Sequence, residues 1–445
     1  MNKEKKLYMI DLFCGAGGVS EGAIQSNFHP IFSLDINKEV EKTYTNRHTQ
    51  LGYIQNVNSY FIREDIRNIT GEKIFKIINN LEYAKNNDIK FGNKKEHTNI
   101  DLIFGGPSCQ GFSMLGKRDK KDPRNKLFGD YVRVISEVQP KYVVMENVVG
   151  FLSFEFDNFK SIDNTFYTKE NTNNLFAPHI LKKEFDKIGY NTLPIKVLKA
   201  SNYGVPQDRE RVIFIAYRKD QKEPKYPVKT IEKEISVKEA IEDLQKEYTY
   251  VKSEKLSNYA KTSIEGRTPT LFDKSPITQK EVLNNEKPNH TKVIEERFSL
   301  YNIGETTQQL RKRILINGID ISNKETLKQL FNKEEIIKLK NNPNEDLINK
   351  LLTKKNIRRR LDSDKPSKTV TTNPDDFISP FVDRTLTVRE MARLQSFDDS
   401  FEFLGKRTTG GKLRQVEIPQ YSQVGNAVPP LMVKAICNEI RKCLV

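Results

Sequence analysis

The sequence predicts an α/β protein with a doubly wound, mostly parallel sheet, joined to a second, smaller and irregular domain. Short apolar runs alternate with helical stretches through the first half of the chain, as in βαβ units. Glycine-rich turns follow two of these runs, at Cys14 to Gly18 and Gly105 to Pro107, and such sheets bind ligands at the carboxyl ends of their strands. From about residue 220 the periodic pattern fades into lysine, asparagine and glutamate, returning near residue 384.

In chain order, the apolar strand Leu7 to Phe13 enters the glycine turn, Val19 to Ser26 has helical character, and Pro30 to Leu34 forms the next strand. Further strands are expected at Leu102 to Phe104, Tyr142 to Met145, Asn191 to Leu198 and Arg211 to Tyr217, with helices at Tyr131 to Val138 and Ile180 to Ile188. Two Asn- and Lys-rich stretches, Thr70 to Thr98 and Phe154 to Asn174, read as surface insertions. The middle offers only short helical pieces, Lys324 to Phe331 and Glu334 to Lys340. Compact structure resumes at Leu386 to Leu394 and in a last helix, Pro429 to Ile440, opened by a proline pair. The expected division is 1–220, 221–383 and 384–445, the last part returning to the first domain.

The 445 residues, 36% of them hydrophobic, suffice for real cores. Lysine plus arginine, 74, against 59 acidic residues gives a formal charge of +15. That excess suits a polyanionic partner such as nucleic acid, or a lysine-rich solvated surface. No apolar run reaches membrane-span length and the first residues lack a signal peptide's hydrophobic region, so a cytoplasmic protein is expected. The four cysteines show no C-x-x-C pair and no histidine at metal spacing, which argues for reduced thiols and against a metal site.

Four stretches carry candidate chemistry. Phe104 to Ser113, F-G-G-P-S-C-Q-G-F-S, puts Cys109 in a loop at a strand's carboxyl end, where it is either a thiolate nucleophile or a buried, inert thiol. Gly15-Ala16-Gly17-Gly18 allows a ligand close to the backbone, and Asp35 ends the next strand, where a carboxylate can hold a ribose. Ser20 stands in place of the dinucleotide fingerprint's third glycine, which suggests an adenosine ligand without a pyrophosphate; a plain tight turn is the alternative. Glu146 follows the strand Val143 to Met145 on the same rim, as an acid with burial-raised pKa or as a salt-bridged residue. In Gln207-Asp208-Arg209-Glu210-Arg211 the two arginines lie at period two, both facing a phosphate or carbonyl if Arg211 begins a strand.

Taken in order, D-L-F-C-G-A-G-G, G-G-P-S-C-Q-G-F-S, M-E-N-V, Q-D-R-E-R, L-T-V-R-E-M-A-R-L-Q-S-F and Q-V-G-N-A-V-P-P resemble the successive motifs of the DNA cytosine-5 methyltransferases, of bacterial restriction-modification type. The segment 221–383 resembles the family in position, as its target-recognition domain, and in K-P-S-K-T-V-T-T at Lys365 to Thr372. The resemblance implies a Rossmann-like methyltransferase sheet and transfer of a methyl group from S-adenosylmethionine to C5 of a cytosine in a specific duplex DNA sequence. Cys109 would add to C6 of a flipped base, Glu146 would protonate or hydrogen-bond N3, and Arg209 and Arg211 would be site arginines. Asn147 maps onto a structural asparagine. The implied cofactor set is Phe13, Gly15, Gly17, Asp35, Ile36, Asp65, Ile66, Pro107 and Asn426, with no metal. Lys117, Arg118 and Arg124 lie in the implied mobile catalytic loop. It further implies a monomer, with a restriction endonuclease acting at the same site as a possible counterpart. A transfer-RNA cytosine-5 methyltransferase shares these motifs, and an inactive DNA-binding homologue is the non-enzyme alternative, although Cys109 and Glu146 are both present. A nicotinamide-dependent dehydrogenase is disfavoured by Ser20 and the cysteine loop.

Overall fold

The computed structural model describes residues 5–107, 127–172, 174–246, 249–250, 256–353, 355–410, 413 and 417–445. Cys109, Lys117, Arg118 and Arg124 lie outside the described residues.

Strand β1 (Leu7–Leu12) leads into helix α1 (Gly18–Ile24), β2 (Phe28–Asp35), α2 (Lys38–Gln50) and β3 (Tyr60–Arg63). Helices α3 (Gly71–Asn79) and α4 (Glu82–Asn86) precede β4 (Leu102–Gly105), α5 (Leu127–Val138) and β5 (Tyr142–Asn147). The hairpin β6 (Asn158–Lys160) and β7 (Phe166–Thr168), helix α6 (Ala177–Lys187), and strands β8 (Tyr190–Thr192), β9 (Lys196–Lys199), β10 (Gln207–Asp208) and β11 (Glu210–Arg218) follow. The main sheet runs β3-β2-β1-β4-β5-β11-β8, with β9 also paired to β11. Strands β1 to β5 are parallel to their neighbours, whereas β11 is antiparallel to β5, β8 and β9.

Period-two alternation divides the sheet's side chains between two cores. Ile10 and Leu12 of β1, Val143 and Met145 of β5, and Val212 and Phe214 of β11 pack with α3, α5 and α6 on one face. Leu7, Met9, Tyr142, Val144, Ile213 and Ile215 pack with α1 and α15 (Pro430–Leu444) on the other. Apolar residues occupy both phases of these strands because both faces are covered.

Three expectations change. The Thr70 to Thr98 stretch is not a surface insertion: Ile74 and Ile78 of α3, Leu81, Ala84 and Phe91 are buried in the first core. Their spacing on α3 is that of an amphipathic helix, masked in composition by the polar outer face. Phe154, Phe156 and Phe159 likewise anchor the second polar stretch in that core. The strand expected across Asn191 to Leu198 is divided into β8 and β9, both paired to β11.

Beyond β11 come α7 (Val237–Ile241), α8 (Asn258–Glu265), α9 (Lys292–Phe298), α10 (Thr307–Asn317), α11 (Lys333–Asn341) and α12 (Glu345–Leu351). Only a 3-10 turn, Leu327–Leu330, forms within the helical piece expected at Lys324 to Phe331. Short strands β12 (Arg359–Arg360), β13 (Ser367–Lys368) and β14 (Phe377–Ile378) precede α13 (Val388–Leu394) and α14 (Gln420–Asn426). Helices α9 to α12 enclose a core of their own, built on Phe298, Leu310, Ile314, Leu339 and Ile348. Val237, Ala240, Ile241 and Tyr259, by contrast, share a core with Val370, Leu386, Met391, Phe397 and Tyr421. Strand β13 pairs in parallel with β10 in a separate two-stranded sheet, which brings the segment after α12 to the residues that lead into β11. No helix among the described residues is long and apolar enough to cross a membrane.

Candidate active site

Register places the site. Leu12 lies opposite both Leu34 and Gly105, and Gly105 opposite Met145, so β1, β2, β4 and β5 end on one rim. Because β11 runs the other way, its first residues arrive at that rim, with Ile213 opposite Glu146 and Val212 opposite Asn147.

At the end of β1 the backbone turns through left-handed conformations at Phe13 (φ 60°), Gly15 (φ 52°) and Gly17 (φ 105°). A Cβ on Gly15 would meet nothing within 4 Å, so its backbone borders open space. Gly18 differs. A side chain there would collide with the Val428 carbonyl, so this glycine lets the C-terminal segment dock on α1. Ser20, standing where the dinucleotide fingerprint has glycine, is buried and donates through Oγ to Asp11 Oδ2 at 2.7 Å.

Asp35 ends β2. Its Oδ2 accepts the Gly15 N–H at 3.0 Å and its Oδ1 the Asn37 N–H at 2.9 Å, which couples the carboxylate to the glycine turn. Burial pushes its carboxyl above the ordinary value, against those two hydrogen bonds. Lone pairs remain on both oxygens. Ile36 beside it is 65% exposed, an apolar side chain offered to solvent or a ligand. Phe13 lies half-buried, its ring 6.5 Å from that of Tyr131. Beneath the turn Asp11 is buried with Oδ1 unpartnered, and its pKa is pushed up to about 8, chiefly by desolvation.

Glu146 and Arg211 meet at the other half of the rim. Arg211 Nε lies 2.7 Å from Glu146 Oε1 in an ion pair, with 13% and 12% of the two side chains exposed. Glu146 Oε2 lies 3.2 Å from where a Cβ on Gly106 would stand, so the carboxyl faces the backbone three residues before Cys109 in the sequence. Asn147 is buried and donates through Nδ2 to the Pro107 carbonyl at 3.2 Å, pinning the same stretch.

Arg209 is not beside Arg211. It is buried, with Nη1 donating to the Val370 carbonyl and Nη2 to the Gly425 carbonyl, both at 3.1 Å. Arg209 falls between β10 and β11, outside a continuous strand, so period-two alternation does not link the two arginines. Ile66 also departs from expectation: its side chain is buried in the first core, and its carbonyl accepts from Arg133 at 2.9 Å. The Asp65 carboxylate is engaged by Arg67, which lowers its pKa. Asn426 ends α14, exposed, next to the Gly425 carbonyl that Arg209 holds.

Burial pushes the Cys14 thiol well above its ordinary value, and those of Cys437 and Cys443 upward, so the described cysteines are poor nucleophiles. Two supports had no signal in the residues alone. The Tyr44 ring lies 3.2 Å from a Cβ placed on Gly17, and its hydroxyl bonds with Ser20 (2.7 Å) and Ser33 (2.5 Å). Gln207 accepts the Val370 N–H at 2.7 Å and donates to the Leu394 carbonyl at 3.0 Å, joining sheet, middle segment and C-terminal segment.

A parallel sheet with one reversed strand, a glycine turn coupled to a carboxylate, and an acid–arginine pair on the same rim define a Rossmann-like methyltransferase. The chain belongs to the C-5 cytosine-specific DNA methylase family, whose model matches residues 7–77 and 69–442. It is a DNA (cytosine-5)-methyltransferase. Among its relatives, the Type II methyltransferase M.DdeI of Desulfomicrobium norvegicum is 31% identical, covering 97% of this chain and 88% of that protein. The Type II methyltransferase M1.HphI of Haemophilus parahaemolyticus is 30% identical, covering 98% and 87%. A crystal structure described as a prophage-encoded DNA modification methyltransferase (E.coli) superposes with a TM-score of 0.64 at 21% identity, covering 99% of each chain, and shows the shared fold. These findings support the DNA methyltransferase and not the transfer-RNA enzyme or the inactive homologue. Family and fold imply S-adenosylmethionine as cofactor and DNA as substrate.

Proposed function

We propose that methyl transfer proceeds through a covalent adduct between Cys109 and C6 of a cytosine flipped out of duplex DNA. The observation that carries this reading is the Glu146–Arg211 pair, 2.7 Å apart, with the other carboxylate oxygen turned to Gly106, three residues before Cys109 in the sequence. C5 of cytosine is inaccessible and weakly nucleophilic in a duplex, so the base must leave the stack and be activated. The Cys109 thiolate adds to C6, while Glu146 donates a proton or hydrogen bond to N3 so that charge does not build up on the ring. Arg211 holds the Glu146 carboxyl in place. After transfer to C5, loss of the C5 proton and elimination of the Cys109 thiolate restore the aromatic ring and release 5-methylcytosine.

Gly15 and Gly17 would line the cofactor's methionine part, which the open space beside Gly15 accommodates. Asp35 would accept the ribose hydroxyls on its remaining lone pairs, with Phe13 and exposed Ile36 against the adenine. Pro107 and Asn426 would close the methionine end. Asp65 would meet the adenine edge only alongside its contact with Arg67, and Ile66 only through its backbone. S-adenosylmethionine, when bound, supplies the methyl group as an electrophile.

The segment 221–383 is proposed as the DNA-reading part, since reading base edges needs polar side chains free of catalytic duty. The relatives' designation as Type II methyltransferases supports a role as the modification half of a restriction-modification system; the enzyme would act in a bacterial cytoplasm, as a monomer with no stable endonuclease complex.

Two measurements test this. On DNA with 5-fluorocytosine at the target, the enzyme should form a denaturation-resistant adduct that Cys109→Ala does not form, while Cys109→Ala keeps cofactor binding and loses all transfer. Turnover by Cys109→Ala would overturn the mechanism. Exchange of residues 221–383 for those of a relative with another target should move the methylated sequence, and an active chimera that kept the original sites would refute the DNA-reading assignment.

A further inference from the structure

Strand β3 brings the chain to the rim beside β2, with Arg63 opposite Asp35 and the Glu64 N–H donating to the Asp35 carbonyl at 3.1 Å. The residues that follow therefore start at the proposed ribose carboxylate. Ile66–Asn68 form a single 3-10 turn, capped by Asp65, which accepts the Arg67 N–H at 2.9 Å. The Arg67 and Asn68 side chains bond back to Asp65 and Glu64. These bonds fix the shape of the turn, but they are all local, and the position of its far end relative to Asp35 has to come from another element.

Helix α5 supplies it. Arg133 donates through Nη2 to the Ile66 carbonyl at 2.9 Å and through Nη1 to the Ile69 carbonyl at 2.8 Å. One planar guanidinium thus spans the turn, which the compact ammonium of a lysine does not do. Two carboxylates of the same helix orient the fork, with Asp130 Oδ1 3.3 Å from Nη2 and Glu137 Oε1 3.2 Å from Nη1. Glu137 extends the grip, its Oε2 accepting the Gly71 N–H at 2.6 Å where α3 begins. The acids alone would make Arg133 a surface ion pair of little consequence. The two carbonyls make it a brace between α5 and the turn. The same helix also supports Phe13, since the Tyr131 ring lies 6.5 Å from it and the Tyr131 hydroxyl donates to the Val144 carbonyl at 3.0 Å.

We propose that Arg133 is a positioning residue for the cofactor's adenine, holding the Asp65–Ile66 turn where it meets the edge of the base. This inference rests on the assignment of that turn to the adenine edge. Arg133 acts through Ile66 and not on the substrate. The contacts proposed for the ribose and the methionine part, at Asp35 and the glycine turn, do not pass through it. Its loss should therefore be felt at the base edge, in cofactor affinity, and not in the rate of transfer once cofactor is bound.

The test compares S-adenosylhomocysteine with S-inosylhomocysteine, which differs from it at the base edge, by calorimetry on the full-length protein. The unaltered protein should bind the adenosyl compound about tenfold more tightly, the effect of roughly one well-placed hydrogen bond. Arg133→Lys keeps a positive charge between Asp130 and Glu137 but cannot span both carbonyls, so it should melt close to the parent. It should lose most of that preference by weakening the adenosyl compound while leaving the inosyl compound unchanged, and it should raise KM for S-adenosylmethionine with kcat unchanged. Arg133→Met should do the same to a greater extent. Absence of a preference in the unaltered protein would overturn the adenine assignment of the turn and this inference with it. With the preference present in the parent, its persistence in Arg133→Lys, equal losses for both compounds, or a fall in kcat at saturating cofactor would overturn the role of Arg133 alone.

Discussion

The catalytic rim and the joint between the sheet and the C-terminal segment are both rich in charge, yet they differ in how much hydrogen-bonding capacity is left over. At the joint, Arg393 uses all five donors: Nε to Asp399, Nη1 to Asp243 and the Ala240 carbonyl, Nη2 to Asp243 and Asp399. Arg389 is bonded to the carbonyls of Leu283, Asp398 and Phe401, and Arg47 to Glu21 and Ser400. At the rim, Gly15 borders open space, Asp35 keeps spare lone pairs, and Glu146 presents one oxygen toward Gly106. Saturated polar groups hold segments together; unsaturated ones can act on a ligand. Arg209 ties two distant segments through their carbonyls, whereas Arg211, two residues on, pairs with the rim carboxylate of Glu146.

The largest expected effect breaks the saturated side. Arg393→Met strands Asp243 and Asp399 as buried charges without their partner, which should cost about 3–5 kcal/mol of stability in urea denaturation. Arg211→Met should cost at most about 2 kcal/mol and instead slow methyl transfer by roughly a hundredfold, as loss of a positioned electrostatic group does. Equal stability losses in the two variants, or full activity without Arg211, would erase the distinction.

A smaller effect tests the unsaturated carboxylate. Asp35→Ala should weaken S-adenosylmethionine binding by about 1–3 kcal/mol, because the ligand's hydroxyls and two backbone N–H groups lose their acceptor. Calorimetry showing unchanged cofactor affinity, with DNA affinity also unchanged, would withdraw the ribose assignment.

The smallest concerns Asp11, whose pKa of about 8 in the folded protein stands above its ordinary value near 4. Between those pH values the folded chain retains a proton that the unfolded chain has released. This contribution is therefore complete below pH 4 and is lost as pH rises toward 8. Asp11→Asn cannot titrate, so its stability should fall less steeply over that range, by at most about 1.4 kcal/mol per pH unit. Identical slopes for variant and parent in denaturation series at pH 5, 6 and 7 would show that Asp11 does not hold the proton.

Much of this division was legible in the residues. Apolar runs ended by glycine or by an acid put Asp35, Gly105 and Glu146 at strand ends, and parallel pairing then made one rim of them. What the residues concealed was partnership over long chain separations. Within Q-D-R-E-R nothing local distinguishes Arg209 from Arg211, because their partners are carbonyls at 370 and 425 in one case and a carboxylate at 146 in the other. Composition misled at Thr70 to Thr98, where the exposed faces of α3 and α4 are polar enough to hide Ile74, Ile78 and Ala84.

By itself, then, the sequence determined the strands, the turns between them and the rim on which the motifs converge, because period-two burial and glycine backbone freedom are local properties. Tertiary structure alone decided which charged groups are spent and which remain available. Hydrogen-bond saturation depends on atoms brought together from β10, β13, α13 and α14, and no local pattern encodes their meeting.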